Sequence, residues 1–270
     1  MVINTNMAAL TANRTMNANA KAAASASNKL STGYRINGAA DDAAGLAISE
    51  KMESQIRGLE QASRNASDGI SLVQTAEGAL AQTTDIIQRM RELSVQASSD
   101  TYTTEDRNSI QIEINQLASE ITRIAEETEF NGMGLLNGNK TDLAIQVGAN
   151  AGQQITVSLQ IMTADELGID SLVVSSAGDA NKAISSLDVA LKTVSDFRAS
   201  LGAKQNRLEY TITNVDNTAE NLTSAQSTLR DADMAATMVE FSKYNVLQQA
   251  AQSMLSQANS NQQNVLSLLR

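Results

Sequence analysis

The sequence predicts a mainly α-helical fold, in which long antiparallel helices form a coiled-coil or helical-bundle rod with one small β-hairpin. The 270 residues contain no proline, so no proline ring is present to kink or end a long helix. Apolar residues recur at spacings of three and four along several runs, which is typical of coiled-coil seams. Aromatic residues are only 3% of the chain and tryptophan is absent, so a large globular core is not expected.

The first third of the chain is expected to contain an amphipathic helix, a break and a very long helix. Residues 3–31 are alanine-rich with larger apolar side chains on one stripe. We interpret Gly33 and Gly38 as a hinge, because no phosphate-loop lysine follows them. Asp41 and Asp42 are interpreted as the N-cap of the next helix, because no third carboxylate lies nearby to complete a metal site. Heptad spacing then continues to about residue 98, about 80 Å of helix at about 1.5 Å per residue.

The middle of the chain is expected to contain a third helix and the hairpin. A threonine at 103 or 104 can cap this helix, which has two acidic residues in its first turn. The Asn-Gly pairs at 131–132 and 137–138 mark turns. Apolar and polar residues then alternate between about 142 and 161, on both sides of a glycine-containing turn. This period of two predicts the β-hairpin.

The last part of the chain is expected to return through two long helices. Residues 162–180 are rich in serine, glycine and aspartate and are predicted to be an exposed connection. A second apolar seam runs from Ile184 to Leu229, about 70 Å of helix at about 1.5 Å per residue. A final helix at about 233–269 carries a face rich in methionine and leucine.

Both ends of the chain are predicted to associate with further copies. An isolated helix is marginal in water, whereas burying a leucine or methionine side chain stabilises by about 1.5–3 kcal/mol, so each terminal helix needs another surface. Residues 1–45 carry four basic and two acidic side chains, and residues 228–270 carry three of each, so the ends are almost neutral. The residues between them carry 13 basic and 25 acidic side chains, which favours a soluble exterior. The self-assembly residues are expected to be Ile3, Met7, Leu10, Leu30, Phe241, Leu247, Met254, Leu255, Val265, Leu266, Leu268 and Leu269.

The composition disfavours several other functions. Histidine and cysteine are absent, so the commonest acid/base group, metal ligand and thiol nucleophile are missing. Carboxylate-only hydrolases, Ser/Lys enzymes and Mg²⁺ or Ca²⁺ sites survive this filter, but we expect no enzyme, catalytic residue, metal or cofactor. A net charge of −10 argues against nucleic acid as a partner. No apolar run of eighteen residues and no secretory signal is present, so we expect no membrane span and a different export route.

Five segments, taken in order, resemble bacterial flagellin. They are 30–37 (LSTGYRIN), 41–48 (DDAAGLAI), 88–93 (QRMREL), 130–132 (FNG) and 264–270 (NVLSLLR). The resemblance covers both termini and nearly the whole helical body. It implies the subunit of the flagellar filament, a structural protein for swimming motility that lies outside the cell.

The resemblance also implies a division of the chain. The terminal helices are paired, and residues 1–42 and 229–270 form the inner tube of the filament. Residues 43–178 and 179–228 form a surrounding rod domain, with the hairpin at about 142–161. Almost nothing lies between the hairpin and the returning helix, so the outer variable domains of larger flagellins are expected to be absent.

The partners that the resemblance implies are other copies of the chain, the filament cap and the hook-associated proteins. It further implies export in unfolded form by the flagellar type III apparatus, with an export chaperone bound to about 233–270. Flagellins that an innate-immune Toll-like receptor recognises are contacted on the first long helix and its neighbour. The matching positions here are Arg89, Leu93 and Glu113.

Two alternatives remain at this stage. The hook–filament junction protein also pairs its terminal helices, and a cytoplasmic signalling coiled coil is a further possibility. The flagellin segments and the Leu-Leu-Arg ending favour the filament. Residues 89–92, without a receptor, are explained as a solvated helix face with charge pairs three and four residues apart.

Overall fold

The fold consists of long α-helices and two small β-sheets, as seen in a computed structural model that describes the backbone of residues 5–268 and the side chains of residues 5–264. Within these residues there are five α-helices and two antiparallel sheets of two strands each, and this confirms the predicted fold class. In chain order the elements are α1 (Met7–Thr32), α2 (Ala43–Ala97), α3 (Thr104–Glu127), β1 (Glu129–Phe130), β2 (Met133–Gly134), β3 (Asp142–Gln146), β4 (Gln154–Ser158), α4 (Ala177–Arg230) and α5 (Met234–Leu268).

Side chains at the helix ends explain where the helices begin and stop. The Asn6 side chain accepts a hydrogen bond from the Ala9 amide at the start of α1, and Gly33 ends this helix in the left-handed conformation with φ 75°. At the start of α2 the Gly45 amide donates to Asp42 Oδ1 at 2.9 Å. These contacts satisfy backbone groups that a helix terminus leaves without intrahelical partners.

A reciprocal capping box starts α3. The Asp106 amide donates to the Thr103 hydroxyl at 3.3 Å, and the Thr103 amide donates to Asp106 Oδ2 at 3.0 Å. The Thr103 hydroxyl also donates to this carboxylate at 2.8 Å. These bonds to the charged form lower the pKa of Asp106 below its ordinary value of 3.8, the bond from the Thr103 hydroxyl being the largest cause.

Asp106 therefore predicts an acid-dependent part of the stability. Because its folded pKa is lowered, its contribution is present above pH 3.8 and is lost as the pH falls through the folded value. We expect Asp106→Asn to be less stable than the unchanged chain at pH 7 and to lose less stability on acidification. Thermal unfolding between pH 7 and pH 2 measures this, and identical acid curves for the two proteins would contradict it.

The chain divides into two compact units. The terminal unit is formed by the described residues up to Ser54 together with those from Asn221 onward, and the second unit is Gln55–Glu220. In the second unit α2 and α4 run antiparallel, with Arg91 paired to Asp188 at 2.7 Å and Glu77 to Arg198 at 3.7 Å. The buried positions of α4 keep the heptad spacing, and alanines contribute to this seam alongside the larger residues. They are Ala180, Ala183, Leu187, Ala190, Val194, Phe197, Leu201, Leu208 and Val215.

The expectation that residues 162–180 form an exposed connection was wrong for most of that segment. Six apolar side chains between 162 and 174 are buried in the core of the second unit. The side-chain amide of Gln111 on α3 holds the backbone there, because its Nε2 donates to the Leu172 carbonyl at 2.7 Å and its Oε1 accepts from the Val174 amide at 2.8 Å. The apolar residues are separated by polar ones, so the local composition predicts an exposed loop. The loop is instead held against the core, and its apolar side chains are buried there. They are Met162, Ala164, Leu167, Ile169, Leu172 and Val174.

The predicted β-hairpin is confirmed and lies on α2. Strands β3 and β4 pair antiparallel from Asp142↔Ser158 to Gln146↔Gln154. Alternate residues of β4, Ile155 and Val157, are buried, as the period of two requires. The Asn-Gly pair at 131–132 makes the turn between β1 and β2, with φ 52° and 73°.

Gly58 is expected to be required for the approach of the hairpin turn to α2. A Cβ at this position would lie 2.9 Å from Ala149 Cβ and 3.2 Å from Ala149 Cα, so Gly58→Ala should cost about 1–3 kcal/mol of unfolding free energy. Gly78 is the matched control on the same helix, because nothing lies within 4 Å of its added Cβ. Gly78→Ala should instead stabilise by about 0.5–1 kcal/mol. Denaturant unfolding measures both, and equal effects would contradict the close approach.

Candidate functional site

The terminal helices α1 and α5 pack against each other along an interface of small side chains. Ala23 and Ala26 of α1 and Ala251 of α5 are buried. At the far end of the pair, Asn6 Nδ2 donates to the Ala258 carbonyl at 3.1 Å, so the two helices run antiparallel. Small residues allow the backbones to approach closely, but they bury little apolar area. Most of the large apolar side chains of the pair must therefore point elsewhere.

Large apolar side chains are exposed along both terminal helices. Met7 and Met254 are 64% and 63% exposed, values far above those of core residues. Exposed large apolar side chains that are concentrated on two paired helices indicate an interaction site. Within the described side chains of α1 and α5, the exposed large apolar residues are Met7, Leu10, Met234, Met238, Val239, Val246, Leu247 and Met254.

An apolar groove of about 620 Å³ lies between the two helices. One wall is formed by the first turns of α1, from Met7 to Asn19, and the other by α5 between Leu247 and Met254. A concave apolar surface of this size can receive side chains from another helix. We call the groove, together with the exposed large apolar residues of α1 and α5, the terminal surface.

The predicted self-assembly residues fall into three groups. Met7, Leu10, Leu247 and Met254 are exposed on the terminal surface. Leu30, Phe241 and Leu255 are half-buried in the terminal unit. Ile3 and Leu269 lie outside the described residues, and so do the side chains of Val265, Leu266 and Leu268. Their part in assembly stays a prediction.

Two of the three receptor-contact candidates form an exposed ion pair. Arg89 Nη2 lies 3.0 Å from Glu113 Oε1, and the hydrogen bond to Glu113 is the main reason why the pKa of Arg89 is raised. About half of each side chain is exposed. Leu93, in contrast, is only 3% exposed and packs in the core. A partner that docks here would meet Arg89 and Glu113 but not the Leu93 side chain.

A clasp of side chains, which the sequence did not predict, joins the linkers next to the terminal helices. It consists of Tyr34, Arg35, Glu53 and Arg230, and all four belong to the terminal unit. Arg230 Nη1 lies 3.1 Å from Glu53 Oε2, and its guanidinium lies over the Tyr34 ring. The partners are separated by up to 196 positions in sequence, so no local pattern could have revealed them.

Neither a metal-ligating cluster nor a membrane-spanning helix is found among the described residues. They contain no group of three or more histidine, cysteine, aspartate or glutamate residues that could hold a metal ion. Among the described helices, none combines the length and the apolar character that a membrane crossing requires.

The fold and the terminal surface define a class of long-helix protein whose two chain ends pair and present an apolar face. The family model for the bacterial flagellin N-terminal helical region matches residues 3–141, and that for the bacterial flagellin C-terminal helical region matches residues 184–269. The chain belongs to the bacterial flagellin family.

Known proteins resemble the chain over its full length. A flagellin of Halalkalibacterium halodurans is 50% identical and one of Bacillus subtilis is 49% identical, each with all of both chains covered. A 31.3 kDa flagellar filament core protein of Treponema maltophilum is 47% identical over all of both chains.

Solved structures share the fold. The crystal structure of Bacillus cereus flagellin matches with a TM-score of 0.50 and 33% identity, covering 60% of this chain and 94% of that one. A Vibrio parahaemolyticus protein described as flagellar hook-associated matches with a TM-score of 0.59, covering 71% of this chain and all of the other. At 13% identity this second likeness shows the fold alone.

Proposed function

We propose that this chain is a structural subunit that polymerises through its terminal helices into the bacterial flagellar filament. The observation that carries the proposal is the terminal surface. Burying one large apolar side chain stabilises by about 1.5–3 kcal/mol, so covering even a few of the exposed residues of α1 and α5 gives a substantial driving force. Further copies of the chain are the occupants that membership of the flagellin family favours.

The charge distribution supports the same arrangement. Helix α1 carries three basic and no acidic side chains, whereas α5 has one acidic and one basic residue within its bounds. The residues between the chain ends hold most of the negative charge. Nearly neutral ends can pack closely with little repulsion, and an acidic exterior keeps the polymer soluble. We place the filament outside the cell, with residues 1–42 and 229–270 in its inner tube.

The proposal extends to the export and handling of the unassembled chain, and the apolar face of α5 supports it. The exposed apolar side chains of α5 are a liability before assembly, because they favour premature association. A chaperone that covers about 233–270 would prevent this, and export in unfolded form through the flagellar type III apparatus would deliver the chain to the growing end. The filament cap and the hook-associated proteins are the further partners at the two ends of the filament.

A contact with a Toll-like receptor is a second proposed role. Its support is the exposed Arg89–Glu113 pair on neighbouring helices, which offers a partner both a donor and an acceptor. Replacing Arg89 with alanine should weaken receptor binding, while the buried Leu93 contributes through the packing of α2. Binding of the purified chain to the receptor ectodomain measures this, and unchanged affinity in Arg89→Ala would remove the role.

Electron microscopy of the purified chain tests the filament proposal. The full-length chain is seeded with filament fragments or treated with a precipitating salt, beside a fragment of residues 43–228. Long filaments from the full-length chain alone would assign polymerisation to the ends. Short assemblies of fixed length would favour the hook–filament junction protein. Discrete soluble particles from both the full-length chain and the fragment would reject the proposal. Circular dichroism checks that the fragment remains helical.

A further inference from the structure

The clasp ties the linkers beside α1 and α5 to the adjoining long helices. We infer that Arg230 is a positioning residue, which holds the terminal helix pair in one orientation relative to the first turns of α2 and the last turns of α4. The part of this inference that concerns filaments rests on the proposed function, because the orientation of the terminal helices determines how copies meet.

Arg230 brings together three parts of the chain. Its Cζ lies 4.5 Å from the centroid of the Tyr34 ring, and Tyr34 belongs to the linker after α1. Its Nη1 lies 3.1 Å from Glu53 Oε2 on α2. Arg230 itself is the last residue of α4. The Arg230 side chain, at the end of α4, therefore contacts both the linker after α1 and the first turns of α2.

The backbone beside Arg230 fixes the two linkers to each other. Tyr34 and Asp231 form an isolated antiparallel bridge. The Arg35 amide donates to the Arg230 carbonyl at 2.7 Å, and the Ala232 amide donates to the Gly33 carbonyl at 2.9 Å. These bonds join the linker after α1 to the end of α4 and to the linker that follows it, without reaching α2, so the Arg230–Glu53 contact adds a connection that the bridge does not supply.

The Arg230 side chain is a poor choice for stability alone. It is only 21% exposed, and its Nε is buried without a hydrogen-bond partner. The pair is partly buried, with Glu53 35% exposed, and the hydration that the two charges lose offsets part of their attraction. A planar guanidinium that stacks on a ring and pairs with a carboxylate accepts few orientations. This combination favours a role in geometry.

Distances between spin labels test the inference directly. The chain has no cysteine, so Lys21→Cys on α1 and Lys51→Cys on α2, both at exposed positions, can be labelled selectively. Labelled chain is diluted into filaments of unlabelled chain, and pulsed electron paramagnetic resonance gives the distance distribution. We expect one narrow distribution with Arg230 present, and about twofold broadening or more in Arg230→Met and Arg230→Lys. The lysine variant keeps the charge but loses the planar group.

Arg91→Met is the matched control. It removes an exposed arginine–carboxylate pair, Arg91 with Asp188, and should leave the distribution unchanged. An unchanged distance distribution in Arg230→Met overturns the inference, even if the melting temperature falls. A purely stabilising role predicts a lower melting temperature without a broader distribution. A broad distribution in the chain that retains Arg230 also overturns it. If the chain that retains Arg230 forms no filaments, the proposed function fails. The distance between the labels at positions 21 and 51 in the soluble chain then tests the clasp by itself.

Discussion

Ile169→Ala is expected to lower the free energy of unfolding by about 2–5 kcal/mol. Ile169 is completely buried in the segment that follows the hairpin, where it belongs to the main core cluster. Removing three carbons from a close-packed site loses transfer free energy and leaves a cavity that the surroundings fill only in part. Denaturant unfolding of the full chain, followed by circular dichroism, measures the change.

Ile112→Ala is the control for this prediction. The residue type and the replacement are the same, but Ile112 is 64% exposed on α3. Its substitution should change the stability by no more than about 0.5 kcal/mol. Similar small effects at both positions would mean that the segment after the hairpin is not part of the core.

Met254→Glu is expected to raise the concentration needed for filament growth at least about tenfold, which corresponds to about 1.4 kcal/mol per subunit added. Met254 lines the groove of the terminal surface and is exposed in the single chain. An isolated carboxylate buried against apolar side chains loses its hydration without gaining a partner, so association becomes unfavourable. Sedimentation of seeded filaments at several protein concentrations measures this value.

Val189→Glu provides the comparison for this second prediction. Val189 is 65% exposed, like Met254, but it lies on α4 in the second unit. If the terminal surface drives polymerisation, the glutamate at 189 should have little effect on growth. Equal inhibition by both variants would show that the terminal surface has no special role. Circular dichroism of the soluble chains confirms that neither charge disturbs the helices.

The helices and the hairpin could be predicted because their signals are local. Heptad spacing and the absence of proline predicted α2 and α4, and the period of two predicted β3 and β4. The segment from 162 to 174 is an irregular connection, as predicted, but its exposure was predicted wrongly because its burial depends on α3, where Gln111 binds its backbone. Such a contact, 61 residues apart in sequence, leaves no periodic trace.

The candidate sites were predictable to a smaller extent. Terminal apolar residues such as Met7 and Met254 could be predicted as self-assembly residues, because an isolated helix is marginal in water and needs another surface to bury its apolar face. The burial of Leu93 was not foreseen, because the resemblance gives a residue its place in a motif without giving its exposure. The clasp was missed entirely, since Arg230 and Glu53 meet only after α2 and α4 have folded back on each other.

The alanine contacts between α1 and α5 have a consequence for how filaments begin. Because Ala23, Ala26 and Ala251 fill the interface within one chain but bury little apolar area, the larger apolar side chains of α1 and α5 are left for neighbouring copies in the proposed filament. In that filament, a subunit added to an existing end would meet several neighbours and cover more of its apolar face than a subunit that meets a single copy in solution. For the proposed filament we therefore expect rare nucleation and fast elongation, so that added filament fragments set the number of filaments and the supply of subunits sets their length.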